Sequence, residues 1–436
     1  MQDLNHDLVV IGGGIIGVSC AWRLTRAGYK VLLLEKDDIG RGASFGNAGH
    51  IATEQVLPLA SPAVLRQLPR MLLDPLGPLR LDWRYLHRIA PWLLRLVANM
   101  RPRAQRAGSA GLRLLNEASL PAWRQLLQQA GLSRLLKEEG SLLVCESEQA
   151  FAELQRYSHV LGELGVSSEP WSAQTLHRQV SGLAPAVSGG LSFPDTGHVT
   201  DPYQLVRRLF EQAQAAGLAQ LQAEVHGGRW LADGIELGTS RGPLFAKRVL
   251  IAAGAWAAPL VRELAGLKVP LDTERGYHLM LPGERARPPV AVSSLERKFI
   301  MTPMADGLRL AGTVEFAGLQ RPPDYRRAWG LMRHADALFA RPLATEGATP
   351  WMGCRPSLPD SLPVIDRVGP QGRLLLAFGH HHLGLTQAAV TARLMLSLLS
   401  GSAPELDMAP FRLARFGQLP PSHNFNNSVC LPGSEI

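Results

Sequence analysis

The sequence predicts a mixed α/β protein in which a parallel-sheet domain is interrupted by a second, α+β domain built on an antiparallel sheet. Three stretches predict it. They are a glycine-rich strand-turn-helix-strand unit over 6–36, alternating apolar segments over 271–316, and a second strand-turn-helix unit over 374–399. At 436 residues, 46% of them hydrophobic, the chain can bury the cores of two ordinary domains.

In the first unit, Leu8-Val9-Val10-Ile11 is a buried strand, and Gly12-Gly13-Gly14-Ile15-Ile16-Gly17 opens a helix. Apolar residues then recur at helical spacing as far as Gly28, and Val31 to Leu34 form a second buried strand. The order is that of a Rossmann-like dinucleotide site. Gly12 permits the turn, Gly14 admits a pyrophosphate to the backbone, and Gly17 lets helix and strand pack closely. Ile15 and Ile16 bring helix N–H groups and the positive dipole end to the phosphates. Glu35, eighteen residues after Gly17 and followed by Lys36, ends the second strand where it can accept from both ribose hydroxyls. An acid there disfavours a 2′-phosphate, which leaves NAD or FAD.

The next segment, Arg41-Gly42-Ala43-Ser44-Phe45-Gly46-Asn47-Ala48-Gly49-His50, is small and polar, as suits backbone lying close to a flat ligand. Joined to GGGIIG and Glu35, it resembles the flavin-dependent D-amino acid oxidase superfamily, and Ser44 to Gly49 resemble its bacterial D-amino acid dehydrogenase branch. The resemblance implies a Rossmann-like FAD-binding domain of the glutathione-reductase type and noncovalent FAD. It also implies that Arg41, Ala43, Ser44, Asn47, Ala48 and Gly49 contact the cofactor, and His50 is a candidate substrate contact.

Composition excludes several other classes. Cys20, Cys145, Cys354 and Cys430 are far apart with no metal spacing, so neither a disulfide framework nor a zinc site is expected. The net charge of +8 comes without the basic-aromatic interleaving or modules of nucleic-acid binders. It suits a carboxylate ligand, an anionic membrane face, or solubility alone. No leader pattern precedes the first strand, and no uncharged run reaches the roughly eighteen residues of a membrane span. The expected location is cytoplasmic, with peripheral contact on the inner face of the cell membrane as an option. Residues 57–106 carry nine arginines against Asp74 and Asp82, with interleaved leucines and tryptophans, and prolines that divide the stretch into short helices. Such a segment can lie in a membrane interface, although an insertion packed on the substrate domain is the favoured reading.

Further along, 112–137 reads as a helix, 141–145 as a strand and 150–164 as a helix. Pro194 to Pro202 is a loop before a helix over 203–216. The strand 222–225 places Val225 near the cofactor. Ala253, Gly254 and Trp256 form a small-residue turn that the family sets against the pyrophosphate. In the alternating segment, glycine oxidase relatives carry a substrate-contacting tyrosine where this chain has Phe299. Tyr277 and His278, on a neighbouring strand, are the substitutes.

The segment Gly353-Cys354-Arg355-Pro356-Ser357-Leu358-Pro359-Asp360 resembles a family signature whose arginine holds the substrate carboxylate. A guanidinium suits that role because its planar fork can donate two parallel hydrogen bonds. In Gly379-His380-His381-His382-Leu383-Gly384-Leu385-Thr386 the adjacent histidines cannot converge on one ion, so no metal is expected. The family sets this turn against the flavin pyrimidine, which implicates His382, Leu383, Gly384, Leu385 and Thr386.

The resemblance implies an FAD-dependent dehydrogenase of D-amino acids or of cyclic secondary amines such as D-proline and hydroxy-D-proline. Arg355, Tyr277 and Phe299 would position a small amino-acid substrate for hydride transfer to flavin N5, giving an imine. Electrons would pass to a quinone or partner subunit, with an oxygen-using oxidase, or the flavin subunit of a larger complex, as the alternatives. The expected FAD-binding domain comprises 1–56, 195–262 and 345–416, and the substrate domain 57–194 and 263–344. Residues 417–436 read as a flexible tail.

Overall fold

The computed structural model describes residues 6–59, 77–285 and 287–417. A six-stranded sheet runs in the order Ala219–Gln222, Val31–Glu35, Leu8–Ile11, Val249–Ile251, Leu374–Phe378 and Val364–Val368. Its strands are parallel except for the last pair, which is antiparallel. Alternate residues of the first strand enter two cores, Leu8 and Val10 on one face and Val9 and Ile11 on the other. Burial of both faces is why the strand reads as an unbroken apolar run.

Helices Ile15–Arg26, Pro102–Gln129, Pro202–Ala215 and Gly384–Ser400 share the first core. The second lies beneath the meander Val225–Trp230, Ile235–Thr239, Gly242–Ala246 and the helix Ala257–Ala265. Two glycines fix how the first unit closes. Gly12 has φ +113°, and a Cβ there would lie 2.5 Å from the Ala252 carbonyl oxygen. A Cβ on Gly17 would overlap the Gly12 carbonyl oxygen.

The second sheet has nine strands. Eight run in the order Thr349–Ser357, Asp272–Leu281, Gly307–Phe316, Phe299–Met304, Ala291–Ser294, Ser141–Cys145, Gly189–Phe193, Glu169–Ser172, and Leu79–Leu81 pairs with Gly307–Phe316. The pairings are antiparallel except Ser141–Cys145 with Ala291–Ser294 and Leu79–Leu81 with Gly307–Phe316. The expected division at residue 345 does not follow the hydrogen bonding. Thr349–Ser357 is paired along its length with Asp272–Leu281, so Arg355 belongs to the substrate-side sheet.

Strands expected over 277–281 and 308–313 are longer, Asp272–Leu281 and Gly307–Phe316, because Glu274, Arg275 and Glu315 continue them as buried charges. The helix expected over 112–137 runs instead from Pro102 to Gln129. Pro102 suits its first turn, where no intrahelical N–H bond is lost. Gly131 with φ +67° follows its end, and Leu136–Lys137 then pairs with Gly197–Val199. The strand expected over 222–225 is two strands meeting at Ala223, whose N–H donates to the Glu35 carbonyl. Residues 60–76 of the basic stretch, Cys430 and nearly all of the expected tail lie outside the described residues.

Among the described residues, His381–Ser400 is long and apolar enough to cross a membrane by length and composition. Its helix packs against Ile15–Arg26 and Pro102–Gln129 inside the first core. Gly17→Ala should destabilise the protein by roughly 1–3 kcal/mol through overpacking against the Gly12 carbonyl. An unchanged urea midpoint would show that the helix can move away freely.

Candidate functional site

A cavity of about 470 Å³ runs between the two sheets. Of the residues expected at the cofactor, Gly12, Gly14, Ile15, Ile16, Glu35, Lys36, Ala43, Ser44, Asn47, Ala48, Val225, Ala253, Gly254, Trp256, His382, Gly384 and Leu385 line it. So do the expected substrate residues His50, Tyr277, Phe299 and Arg355. Five others stand behind the wall. Gly17 packs on Gly12, and Arg41 stacks over Phe45 and Tyr203. The Gly49 N–H donates to Asn47 Oδ1, which braces the loop. Leu383 is in the first core, and Thr386 Oγ1 accepts from the Ala52 N–H.

The helix Ile15–Arg26 begins at Gly14 with no side-chain cap, and its first-turn N–H groups lack intrahelical acceptors. Ser44 Oγ accepts one of them, from Ile15, at 2.9 Å. The two Glu35 carboxylate oxygens accept from Gly13 N–H at 2.6 Å and Asp37 N–H at 3.0 Å, which fixes the acid at the end of its strand. Gly384–Ser400 also starts without a side-chain cap. An elongated cavity with two open helix N-termini and an acid at a strand end fits FAD, whose pyrophosphate and ribose would be held by Gly12 to Ile16, Ser44 and Glu35.

At the second sheet the Arg355 guanidinium lies over Gly276, where a Cβ would overlap it. Among the described residues its one hydrogen bond is Nη1 donating to the Thr313 carbonyl at 3.3 Å. Burial holds its pKa below the usual arginine range, opposed by the Glu274 carboxylate. Burial alone would raise Glu274, but His381 and Arg355 outweigh it and hold the carboxyl low. His381, at φ +52°, is fixed by accepting the Leu358 N–H on Nε2, and its Nδ1 lies 3.8 Å from Glu274 Oε1. Arg355 thus has donors to spare beside the cavity and one buried acid balancing its charge.

At two expected substrate contacts the polar atoms are already engaged. The Tyr277 hydroxyl donates to Glu315 Oε2 at 2.7 Å and accepts from the Asp324 N–H, so it has no free proton for a ligand. His50 Nδ1 meets the Gly197 carbonyl at 3.0 Å and Nε2 meets Glu54 Oε1 at 2.9 Å. Both ring nitrogens are therefore engaged, and the Glu54 carboxylate raises the His50 pKa against its burial, so the ring offers no free donor to a ligand. Phe299 supplies an apolar wall.

Sequence reasoning missed Trp351, whose ring lies where a Cβ on either Gly46 or Gly353 would be, and which stacks on His278 at 5.0 Å. The signal was available in those two glycines, one in each motif. Cys354 also lines the cavity, a buried thiol pushed up by desolvation. The three adjacent histidines diverge: His380 Nε2 to Thr391 Oγ1, His381 to Leu358, and His382 Nε2 to Gln55 Oε1.

Arg355→Leu should retain the flavin and lower kcat/KM for amino acids by about a hundredfold or more, the worth of two charge-assisted hydrogen bonds. Equal loss with an amine lacking a carboxylate would contradict that assignment. Burial, aided by neighbouring cations, pushes His198 down to about 4 and His278, His380 and His382 down to about 3. Below the ordinary histidine range the unfolded chain binds four protons that the native state refuses, so stability falls as pH drops toward these values. In His50, burial is outweighed by Glu54 and the pKa is raised, so its contribution is present at low pH and lost as pH rises. The folding free energy should therefore fall between about pH 7 and 5, by up to about 1.4 kcal/mol per pH unit for each histidine, seen as a falling melting temperature. A flat profile in saturating FAD would contradict this.

Comparison with known proteins agrees with the geometry. Residues 7–398 match the DAO family model, described as FAD dependent oxidoreductase. A D-amino-acid oxidase of Bradyrhizobium diazoefficiens is 32% identical over 94% of this chain and 99% of its own. D-amino acid dehydrogenase 2 of Ralstonia nicotianae is likewise 32% identical, over 94% and 100%. Glycine oxidase from Geobacillus kaustophilus shares the fold with a TM-score of 0.70 at 23% identity, over 94% of this chain and 98% of that one. L-proline dehydrogenase from P. horikoshii does so with a TM-score of 0.69 at 20% identity, over 93% and 98%. The chain belongs to the DAO family of FAD-dependent oxidoreductases and is an enzyme acting on amino acids.

Proposed function

We propose that the protein dehydrogenates D-amino acids or cyclic secondary amino acids such as D-proline and hydroxy-D-proline, and passes the electrons to a quinone or a protein partner. The observation that carries this reading is the buried Arg355 guanidinium, which has spare donors beside the cofactor cavity. FAD, when bound, supplies the hydride acceptor.

Arg355 would hold the substrate carboxylate by two hydrogen bonds and so set the direction of the α C–H bond. Phe299, Ile300 and Trp351 line the cavity and exclude water from the reacting carbon. The substrate amine must be neutral to release its lone pair into the new C=N bond. Of the histidines that line the cavity, His50 has both ring nitrogens engaged, His380 meets Thr391, His381 accepts the Leu358 N–H with its other nitrogen toward Glu274, and His382 holds Gln55. The amine proton therefore leaves to solvent before hydride transfer, and positioning accounts for much of the rate. Hydrolysis of an open-chain imine gives an oxo acid and ammonia, whereas a cyclic substrate leaves as a pyrroline.

An oxygen-using oxidase is the second reading, favoured by the similarity to the Bradyrhizobium enzyme named D-amino-acid oxidase. Anaerobic bleaching of the flavin band by D- and L-amino acids, then admission of air, separates the two. Bleaching by a D-substrate with slow recovery in air is expected. Rapid recovery would establish the oxidase, and bleaching by L-substrates alone would overturn the stereochemical assignment.

A further inference from the structure

No motif marks Gln55 in the sequence, yet its side chain lines the cavity in the segment after His50. Its carboxamide oxygen lies 2.5 Å from His382 Nε2. Burial, aided by Arg355 and His381, pushes His382 down to about 3, so the ring is neutral and carries one proton. An amide oxygen only accepts, which places that proton on Nε2 and fixes the way the Gln55 amide faces. With the oxygen taken, what Gln55 still offers is its NH2 group, which makes no hydrogen bond among the described residues.

The main chain beneath that amide is held as firmly. The Gln55 N–H donates to the Ala52 carbonyl at 3.3 Å, and its own carbonyl accepts from Asn116 Nδ2 at 3.0 Å. Asn116 Nδ2 also reaches the Ala52 carbonyl, and Asn116 Oδ1 accepts from Gln387 Nε2 at 3.0 Å. Asn116 and Gln387 are buried on the helices Pro102–Gln129 and Gly384–Ser400. Hydrogen bonds in such a low-dielectric core are strong, so Gln55 is in position before any ligand arrives.

That position is on the Arg355 side of the cavity. The turn His381–Leu383 packs against the strand Thr349–Ser357. His381 takes the Leu358 N–H, three residues beyond Arg355, and faces Glu274, the cross-strand partner of Arg355. His382 follows directly and feels the Arg355 charge, so the amide it holds stands beside a guanidinium with donors to spare. Both groups donate, and neither has a free acceptor. A ligand group between them must therefore accept on every side. A carboxylate does so, whereas a carboxamide brings N–H bonds that face other N–H bonds.

We propose that Gln55, held by His382, is a second hydrogen-bond donor to the substrate carboxylate and makes this subsite reject amino-acid amides. Arg355 supplies the charge, and Gln55 the preference for a group without donors. His382 is a positioning residue that acts through Gln55. The inference rests on Arg355 as the holder of the carboxylate, and it is independent of stereochemistry and of the electron acceptor.

The test uses the FAD-loaded protein and two flat ligands, pyrrole-2-carboxylate and pyrrole-2-carboxamide, whose dissociation constants are read from the perturbed flavin band without turnover. The wild type should bind the carboxylate about a hundredfold or more tightly than the carboxamide. Gln55→Leu should weaken the carboxylate by about tenfold or more, the share of one charge-assisted hydrogen bond, and leave the carboxamide within about threefold. Gln55→Glu should reverse the preference, because the new carboxylate repels one ligand and accepts from the other. His382→Leu should weaken the carboxylate, His382→Asn, which keeps a donor, should do so less, and neither should add to Gln55→Leu. Flavin retention shows that each variant is folded. An unchanged carboxylate constant in Gln55→Leu, equal weakening of both ligands, or additive losses with His382→Leu would overturn the inference. Arg355→Leu separates the two readings. If it binds the carboxylate as the wild type does, or if the wild type binds none, the carboxylate assignment of Arg355 fails. If Arg355→Leu alone loses the ligand, that assignment stands and Gln55 has no part in it.

Discussion

A guanidinium withdrawn from water with one hydrogen bond is the constraint around which the substrate side is built. An isolated buried charge is costly, and the cost falls only when an opposite charge and good donors or acceptors surround it. Arg355 meets that requirement in part. Glu274 balances its charge, Thr313 takes one proton, and Gly276 leaves room for the planar group to lie flat on the neighbouring strand. His381, in a left-handed backbone conformation fixed by the Leu358 N–H, faces Glu274 in turn. The residues that look like a metal-binding run in sequence thus partly support the buried Arg355–Glu274 pair, and their order along the chain matters less than the direction each ring takes.

Much of the nucleotide half was legible because its constraints are local. A strand buried on both faces must be apolar throughout, a tight turn under Ala252 requires glycine, and an acid ending the second strand declares itself by position. Arg355 was legible for a different reason, since its flanking glycine and proline sit within a longer resembling segment. What escaped depended on partners distant in sequence. The ends of the strands Asp272–Leu281 and Gly307–Phe316 were hidden because Glu274, Arg275 and Glu315 interrupt the apolar alternation. Arg275 and Glu315 neutralise one another, and Glu274 meets Arg355, only after the strands are paired.

The same cause hides how two cavity side chains use their polar atoms. Tyr277 and His50 are at the cavity, as their neighbourhood suggested, but their polar atoms are engaged by Glu315, Asp324, Glu54 and Gly197. Residue type reports what a group can donate or accept. It does not report whether that capacity is already used. Trp351 shows the converse, for nothing about an isolated tryptophan marks it, whereas the two glycines that make space for its ring lie in separate motifs.

The order of strands in the parallel sheet bears on how the chain reaches its native state. Leu8–Ile11, the central strand, is bordered by Val31–Glu35 on one side and by Val249–Ile251 on the other, and Leu374–Phe378 lies beyond. During synthesis its second edge stays unpaired until the whole helical insertion and the first strands of the antiparallel sheet have emerged. Such long-range pairing is slow and leaves apolar edges open to wrong partners. Folding of the nascent chain is therefore governed by the late arrival of its C-terminal half, and premature truncation anywhere before Val249 would release a chain with an uncovered, aggregation-prone edge.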